Sequence, residues 1–186
     1  MEDAGHHPWY IRLIFWLQTR HYGAPLNSAK IWATSPRVFL GLSHLYSALD
    51  RTSSPLSPAL RSLVIVRVSQ LNGCAFCIDL NTSVLLKRGV SLEKALALHA
   101  WSQSTLFSPL ERDALSYSES VTRGVPIDAH VKERLTRDLA ETGLVELTAL
   151  IAFQNMSTKF NNAFDVAPQG FCPVLIPPTQ GEEHRP

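Results

Sequence analysis

Two of the chain's three cysteines stand three residues apart, in Asn72-Gly73-Cys74-Ala75-Phe76-Cys77. Asn-Gly is a helix stop, so both sulfurs are expected in the first turn of the next helix. There the unpaired backbone N–H groups and the helix dipole favour a thiolate, which lowers a cysteine's pKa. Residues three apart share a helix face, so the two thiols can close into a disulfide with little backbone motion. The pattern points to a redox dithiol. Two other readings stay open. Both cysteines could be small buried hydrophobes. A zinc site is the other, but it needs about four ligands, and neither a second CxxC nor a paired histidine cluster is present. His6-His7 is too short a pair to claim a metal. No metal and no cofactor is expected.

Other side chains compete for a role. His99, in Leu96-Ala97-Leu98-His99, could act as a base, although a histidine on a mostly apolar helix is usually structural. Asp79 lies two positions beyond Cys77, on a different helix face, where it favours the first turn. Glu119 and Glu146 interrupt apolar helices and could point into a site, but are expected to pair with arginines or to lie at a subunit boundary. Cys172 is the odd thiol, expected to be uninvolved, with contact to Cys74 or Cys77 as the alternative. Trp9, Phe15 and Trp16 read as core or subunit contact.

Helical periodicity runs through almost the whole chain. Trp9, Leu13, Trp16 and Leu17 share one face of a helix that Gly23 and Pro25 close. Leu26–Ala33 predicts a short helix. Ser35-Pro36 and Ser57-Pro58 look like N-cap and N1 pairs opening helices over Arg37–Leu49 and Ala59–Leu71. Leu63–Val68 alone could be a strand, but its start signal and length favour a buried helix. Further helices are expected over Cys74–Arg88, Leu92–Trp101, from the capping box Ser108-Pro109-Leu110-Glu111 to about Thr122, and over Ile127–Leu139 and Leu144–Phe164. The fold class is therefore all-α. Residues 1–58 read as an N-terminal arm and helices, 59–165 as the core carrying the cysteine pair, and 166–186 as a proline-rich tail, within a single domain overall.

The 186 residues are 45% hydrophobic and 18% charged, the composition of a folded domain. Seventeen basic and sixteen acidic side chains leave a formal charge of +1, with no basic cluster to neutralise phosphates; no nucleic-acid partner is expected. The longest apolar stretch, Trp9–Leu17, is short and interrupted by Arg12, so no membrane span is expected. Met1-Glu2-Asp3 is acidic where a secretory signal would be basic, which makes the cytoplasm the expected compartment. Apolar surplus on Val64–Val68, Leu147–Phe153 and the aromatic arm suggests subunit contacts.

The stretch from Leu60-Arg61-Ser62-Leu63 through Asn72-Gly73-Cys74-Ala75-Phe76-Cys77-Ile78-Asp79-Leu80 resembles the carboxymuconolactone decarboxylase family, specifically its alkylhydroperoxidase AhpD-like, peroxidase-related branch. The likeness continues in Leu86-Lys87-Arg88-Gly89, Ala100-Trp101-Ser102-Gln103-Ser104, Phe107-Ser108-Pro109-Leu110-Glu111-Arg112, Ser118-Glu119-Ser120-Val121-Thr122 and Leu147-Thr148-Ala149-Leu150-Ile151-Ala152. The resemblance implies an AhpD-like helical bundle and a closed homo-oligomer, a trimer or hexamer. It also implies that Cys77 attacks a hydroperoxide, that Cys74 resolves the sulfenic acid, and that a dithiol reductant protein reopens the disulfide. Active members of the branch carry a glutamate twelve residues before the first cysteine and a histidine four after the second. Here those positions hold Ser62 and Asn81, neither of which accepts a proton near neutral pH. Arg67 would support a thiolate if it points inward. The leading expectation is a thiol-dependent peroxidase with weakened activity. The alternatives are a non-catalytic oligomeric member and a lyase like the family's ring-lactone decarboxylases.

Overall fold

The computed structural model describes residues 7–172; Met1–His6, and with them half of the His6-His7 pair, and most of the expected proline-rich tail lie outside the described residues. Eight α-helices follow in order: α1 (Trp9–Tyr22), α2 (Asn27–Trp32), α3 (Pro36–Leu49), α4 (Pro58–Leu71), α5 (Ala75–Lys87), α6 (Leu92–Ala97), α7 (Pro109–Arg123) and α8 (Ala129–Ala163), with a 3₁₀ turn over Leu98–Gln103. Among the described residues there is no strand. The fold is all-α, as expected.

Two of the start signals act as their chemistry requires. Ser57 Oγ accepts the N–H of Leu60 at 3.2 Å ahead of Pro58. Ser108 and Glu111 close a full capping box on α7. Ser35 occupies the N-cap position of α3, but its side chain makes no capping bond there. The helix expected over Leu92–Trp101 is shorter, because the backbone tightens into the 3₁₀ turn at Leu98 and leaves helical geometry at Ala100.

α4 is the axis of the molecule. Nearly all of Leu60–Ser69 is buried, so this helix has no solvent face. Val64, Ile65 and Val68 pack with Leu135, Leu147 and Ile151 of α8 and Ala114 of α7. Leu63 and Val66 face the other way, toward Leu85, Leu98 and Leu115. Each such side chain contributes about 1.5–3 kcal/mol by leaving water. α1–α3 form a smaller core of their own around Ile11, Ala29, Ala33 and Phe39.

The break expected between Leu139 and Leu144 is a single residue. Ala140 takes φ 57°, ψ 174° inside α8, a conformation that glycine tolerates and alanine rarely adopts.

Candidate active site

The turn between α4 and α5 delivers the cysteines. Gly73, at φ 62°, makes the left-handed step that reverses the chain, and Cys74 becomes the N-cap of α5. Its Sγ accepts the N–H of Cys77 at 3.3 Å, so a sulfur fills the place usually taken by a serine oxygen. The two sulfurs lie at disulfide distance, with Cα atoms 5.2 Å apart. Both residues are buried, Cys74 at 1% and Cys77 at 2% exposure.

Cys77 opens onto a cavity of about 450 Å³; Cys74 does not line it. α1–α3 supply one wall, with Tyr22, Trp32, Phe39 and Tyr46. Phe76, Cys77, Leu80 and Asn81 of α5 and Phe153, Gln154 and Asn161 of α8 supply the other. The lining is largely aromatic and apolar, and polar side chains contribute from both walls.

Asn161 Nδ2 donates to Cys77 Sγ at 3.2 Å, while its Oδ1 accepts the Ser28 hydroxyl at 2.6 Å. With Nδ2 on the sulfur, the serine hydroxyl donates to the other end of the amide, so both ends are satisfied. A carboxamide N–H aimed at sulfur favours the thiolate over the thiol. Below it, Ser69 Oγ accepts from Gln154 Nε2 at 2.9 Å and from Asn81 Nδ2 at 3.3 Å and donates to the carbonyl of Ile65 at 2.7 Å.

Of the two positions where a relay is missing, Asn81 lines the cavity and Ser62 does not. Ser62 is buried and accepts from Arg88 Nη1 at 3.0 Å. Arg88 Nη2 in turn grips Asp50 at 2.8 and 2.6 Å, and Arg61 Nε reaches the same carboxylate at 3.1 Å. Arg67 turns away from the cysteines to Glu119 on α7, with Nε at 2.8 Å from Oε1. Its charge is matched there, so it does not act on the sulfurs. The ionisable lining groups besides Cys77 are Tyr22 and Tyr46. Burial raises the pKa of Tyr22, the Asp50 charge raises it further, and Arg88 opposes them.

The remaining candidates divide. His99 is exposed and its Nδ1 lies 2.7 Å from the carbonyl of Leu96, so it takes no part in the cavity. Glu119 and Glu146 pair with arginines. Burial would raise the Glu119 carboxyl, but hydrogen bonds from Trp101 and Arg67 and the charges of Arg67 and Arg123 outweigh it and hold the pKa below the ordinary value. Glu146 behaves alike, bound by Arg51 and Ser54. The expectation for Asp79 needs correction. Its carboxylate is buried and accepts the backbone N–H groups of Gln169, Gly170 and Cys172 at 2.9, 2.8 and 2.8 Å. It therefore clasps the chain after α8, which folds back over α5, and Val166 packs against the cysteine pair. Cys172 is buried beside this clasp.

Asn161, Ser28, Gln154, Tyr46 and Asp50 escaped sequence reasoning. A signal existed for two of them. The buried stripe Leu147, Leu150, Ile151 of α8 continues as Gln154, Thr158, Asn161, polar residues at core spacing.

Among the described residues no cluster of three His, Cys, Asp or Glu could hold a metal, and no helix is long and apolar enough to cross a membrane.

The family model for carboxymuconolactone decarboxylase matches residues 36–120, from the start of α3 through most of α7, with the cysteine pair inside. The uncharacterized protein YnjA of Escherichia coli (strain K12) is 40% identical over 168 residues, covering 90% of this chain and 92% of that one. The chain belongs to the carboxymuconolactone decarboxylase family. Among solved structures of this fold, an alkylhydroperoxidase AhpD core, an uncharacterized peroxidase-related protein from Ralstonia eutropha JMP134, superposes with a TM-score of 0.81 at 19% identity, over 90% of this chain and 89% of that one. The debrominase Bmp8 does so with a TM-score of 0.76 at 18% identity, over 87% of each chain. At such identities the likeness shows the fold, an AhpD-like helical bundle. One neighbour is a debrominase and the other an uncharacterized peroxidase-related protein, so activity has to be argued from the site.

Proposed function

We propose that the protein is a thiol-dependent peroxidase of the AhpD-like type, with Cys77 as the attacking thiolate and Cys74 as the resolving thiol. The observation that carries this reading is the Cys74–Cys77 pair at disulfide distance with Cys77 as its cavity-facing member. The Cys77 thiolate attacks the distal oxygen of a hydroperoxide. An S–O bond forms, the O–O bond breaks, and sulfur gives up two electrons. The leaving oxygen takes a proton and departs as an alcohol. Cys74 then attacks the sulfenic acid, water leaves, and the disulfide closes. A dithiol reductant protein returns two electrons and two protons to reopen it. The cycle draws on no other cofactor.

Asn161 and the start of α5 support the thiolate. Neither Ser62 nor Asn81 offers a base, which is the one feature that favours a weakly active or non-catalytic member instead. The exposed apolar residues Trp9, Leu13, Trp16 and Leu17 of α1 and Val38, Leu40 and Leu45 of α3 support assembly as a trimer or hexamer, and we place the protein in the cytoplasm, where dithiol reductants operate. Light scattering that reports a monomer would remove the assembly.

The activity is tested by hydroperoxide consumption with and without a dithiol reductant. Turnover that requires the reductant and is lost in both Cys77→Ser and Cys74→Ser is expected. Turnover that survives in Cys77→Ser would reject the assignment.

A further inference from the structure

Once Cys77 is ionised, reducing an alkyl hydroperoxide leaves one proton to be found. The departing alkoxide is a strong base and needs an acid beside it as the O–O bond breaks. Two residues that line the cavity carry such an acid, Tyr22 and Tyr46. Tyr22 makes ring contacts with Phe171 and Lys87, toward the strap after α8. Tyr46 has a different setting. Its hydroxyl donates at 3.4 Å to Oδ2 of Asp50, the C-cap residue just past α3. That bond is long for two oxygens, so the hydroxyl is tethered but free to turn. Asp50 is itself held by Arg61 and Arg88, which leaves one carboxylate between two guanidiniums.

We propose that Tyr46 is the proton donor to the leaving oxygen of the hydroperoxide, and that Asp50 is the positioning residue that holds its hydroxyl at the cavity wall. This rests on the peroxidase reading. As Cys77 sulfur bonds the distal oxygen, the proximal oxygen takes the Tyr46 proton and leaves as an alcohol. The phenolate then faces Asp50, Arg61 and Arg88, whose charges sum to one positive, and regains from solvent the proton that Cys77 lost on ionising. No atom or electron is left over. Although Tyr46 is 40% exposed, partial burial and the Asp50 and Tyr22 charges keep it protonated far above neutral pH, with Arg88 opposing.

The leaving group decides the test. An alkyl hydroperoxide expels an alkoxide that needs a proton, whereas a peracid expels a weakly basic carboxylate that does not. Rapid-mixing oxidation of fully reduced protein by tert-butyl hydroperoxide should be about 100-fold slower in Tyr46→Phe than in the wild type, the usual weight of one acid. Oxidation by peracetic acid should be unchanged. Asp50→Asn should repeat the split more weakly. Equal rates for wild type and Tyr46→Phe on the hydroperoxide, or equal losses on both oxidants, would overturn the assignment. A wild-type protein that neither oxidant converts to the disulfide would overturn the peroxidase reading itself.

Discussion

Asn161 donates a hydrogen bond from its side-chain nitrogen to Cys77 Sγ at 3.2 Å, joining residues 84 positions apart. The contact places a fixed dipole on the sulfur that must carry charge in the proposed reaction. A hydrogen bond to a charged group contributes about 1.5–3 kcal/mol, or about one to two pKa units. Asn161→Ala should raise the Cys77 thiol pKa by that amount and slow its alkylation near neutral pH by about tenfold or more. The pH dependence of iodoacetamide labelling of the reduced protein reads this directly. An unchanged profile would show that the helix start alone sets the thiolate.

Asp79 holds the strap over the cysteine pair through three backbone N–H groups. Replacing it with alanine leaves those donors without their acceptor. Amide exchange at Gln169, Gly170 and Cys172 should accelerate in Asp79→Ala, and protease cleavage near them should rise, while α4 and α7 keep their protection. Exchange of these three amides at the wild-type rate would mean that the strap is held by other contacts.

How much of this was legible in advance depends on the range of the interaction. Helices α4 and α7 announce themselves locally, because Ser57-Pro58 and Ser108-Pro109-Leu110-Glu111 carry their own caps. The cysteine pair was legible for the same reason, since the chemistry of CxxC sits within one turn. Asn161 on Cys77, Tyr46 on Asp50 and Asp79 on the strap were not. Tyr46 and Asp50 are only four residues apart, but the value of that pair lies in the cavity on one side and Arg88 on the other. Asp79 has no local partner at all; its three donors come from 90 or more residues away. Ser62 and Asn81 were readable as the loss of acid–base groups, yet their different surroundings, an arginine for one and the cavity for the other, came only with the fold.

Glu119 and Glu146 have folded-state pKa values below their ordinary ones. Such groups add stability that is complete above the unfolded-state value, about 4.3, and is lost as pH falls through the lower folded values. The melting temperature should therefore drop on acidification below that point. Glu119→Gln should be less stable near neutral pH and show a shallower acid decline. Thermal melts of both proteins across pH check it, and parallel declines would deny Glu119 a share.

Ala140 sits at φ 57°, ψ 174°, where a Cβ is strained. Ala140→Gly should relieve it and stabilise the fold by about 1–2 kcal/mol, within the usual range for such backbone outliers. The urea midpoint should rise with an unchanged slope. A lower midpoint would place the conformation within alanine's reach.

If Cys77 and Cys74 together carry two electrons to a hydroperoxide, a single-turnover titration reads it directly. Fully reduced protein is mixed with one equivalent of alkyl hydroperoxide, and its thiols and mass are counted after quenching. Two thiols should disappear per hydroperoxide reduced, the mass should fall by two hydrogens, and the new bond should map to Cys74–Cys77, while Cys77→Ser should lose none. Hydroperoxide that remains unconsumed, or thiols lost equally from Cys77→Ser, would contradict it.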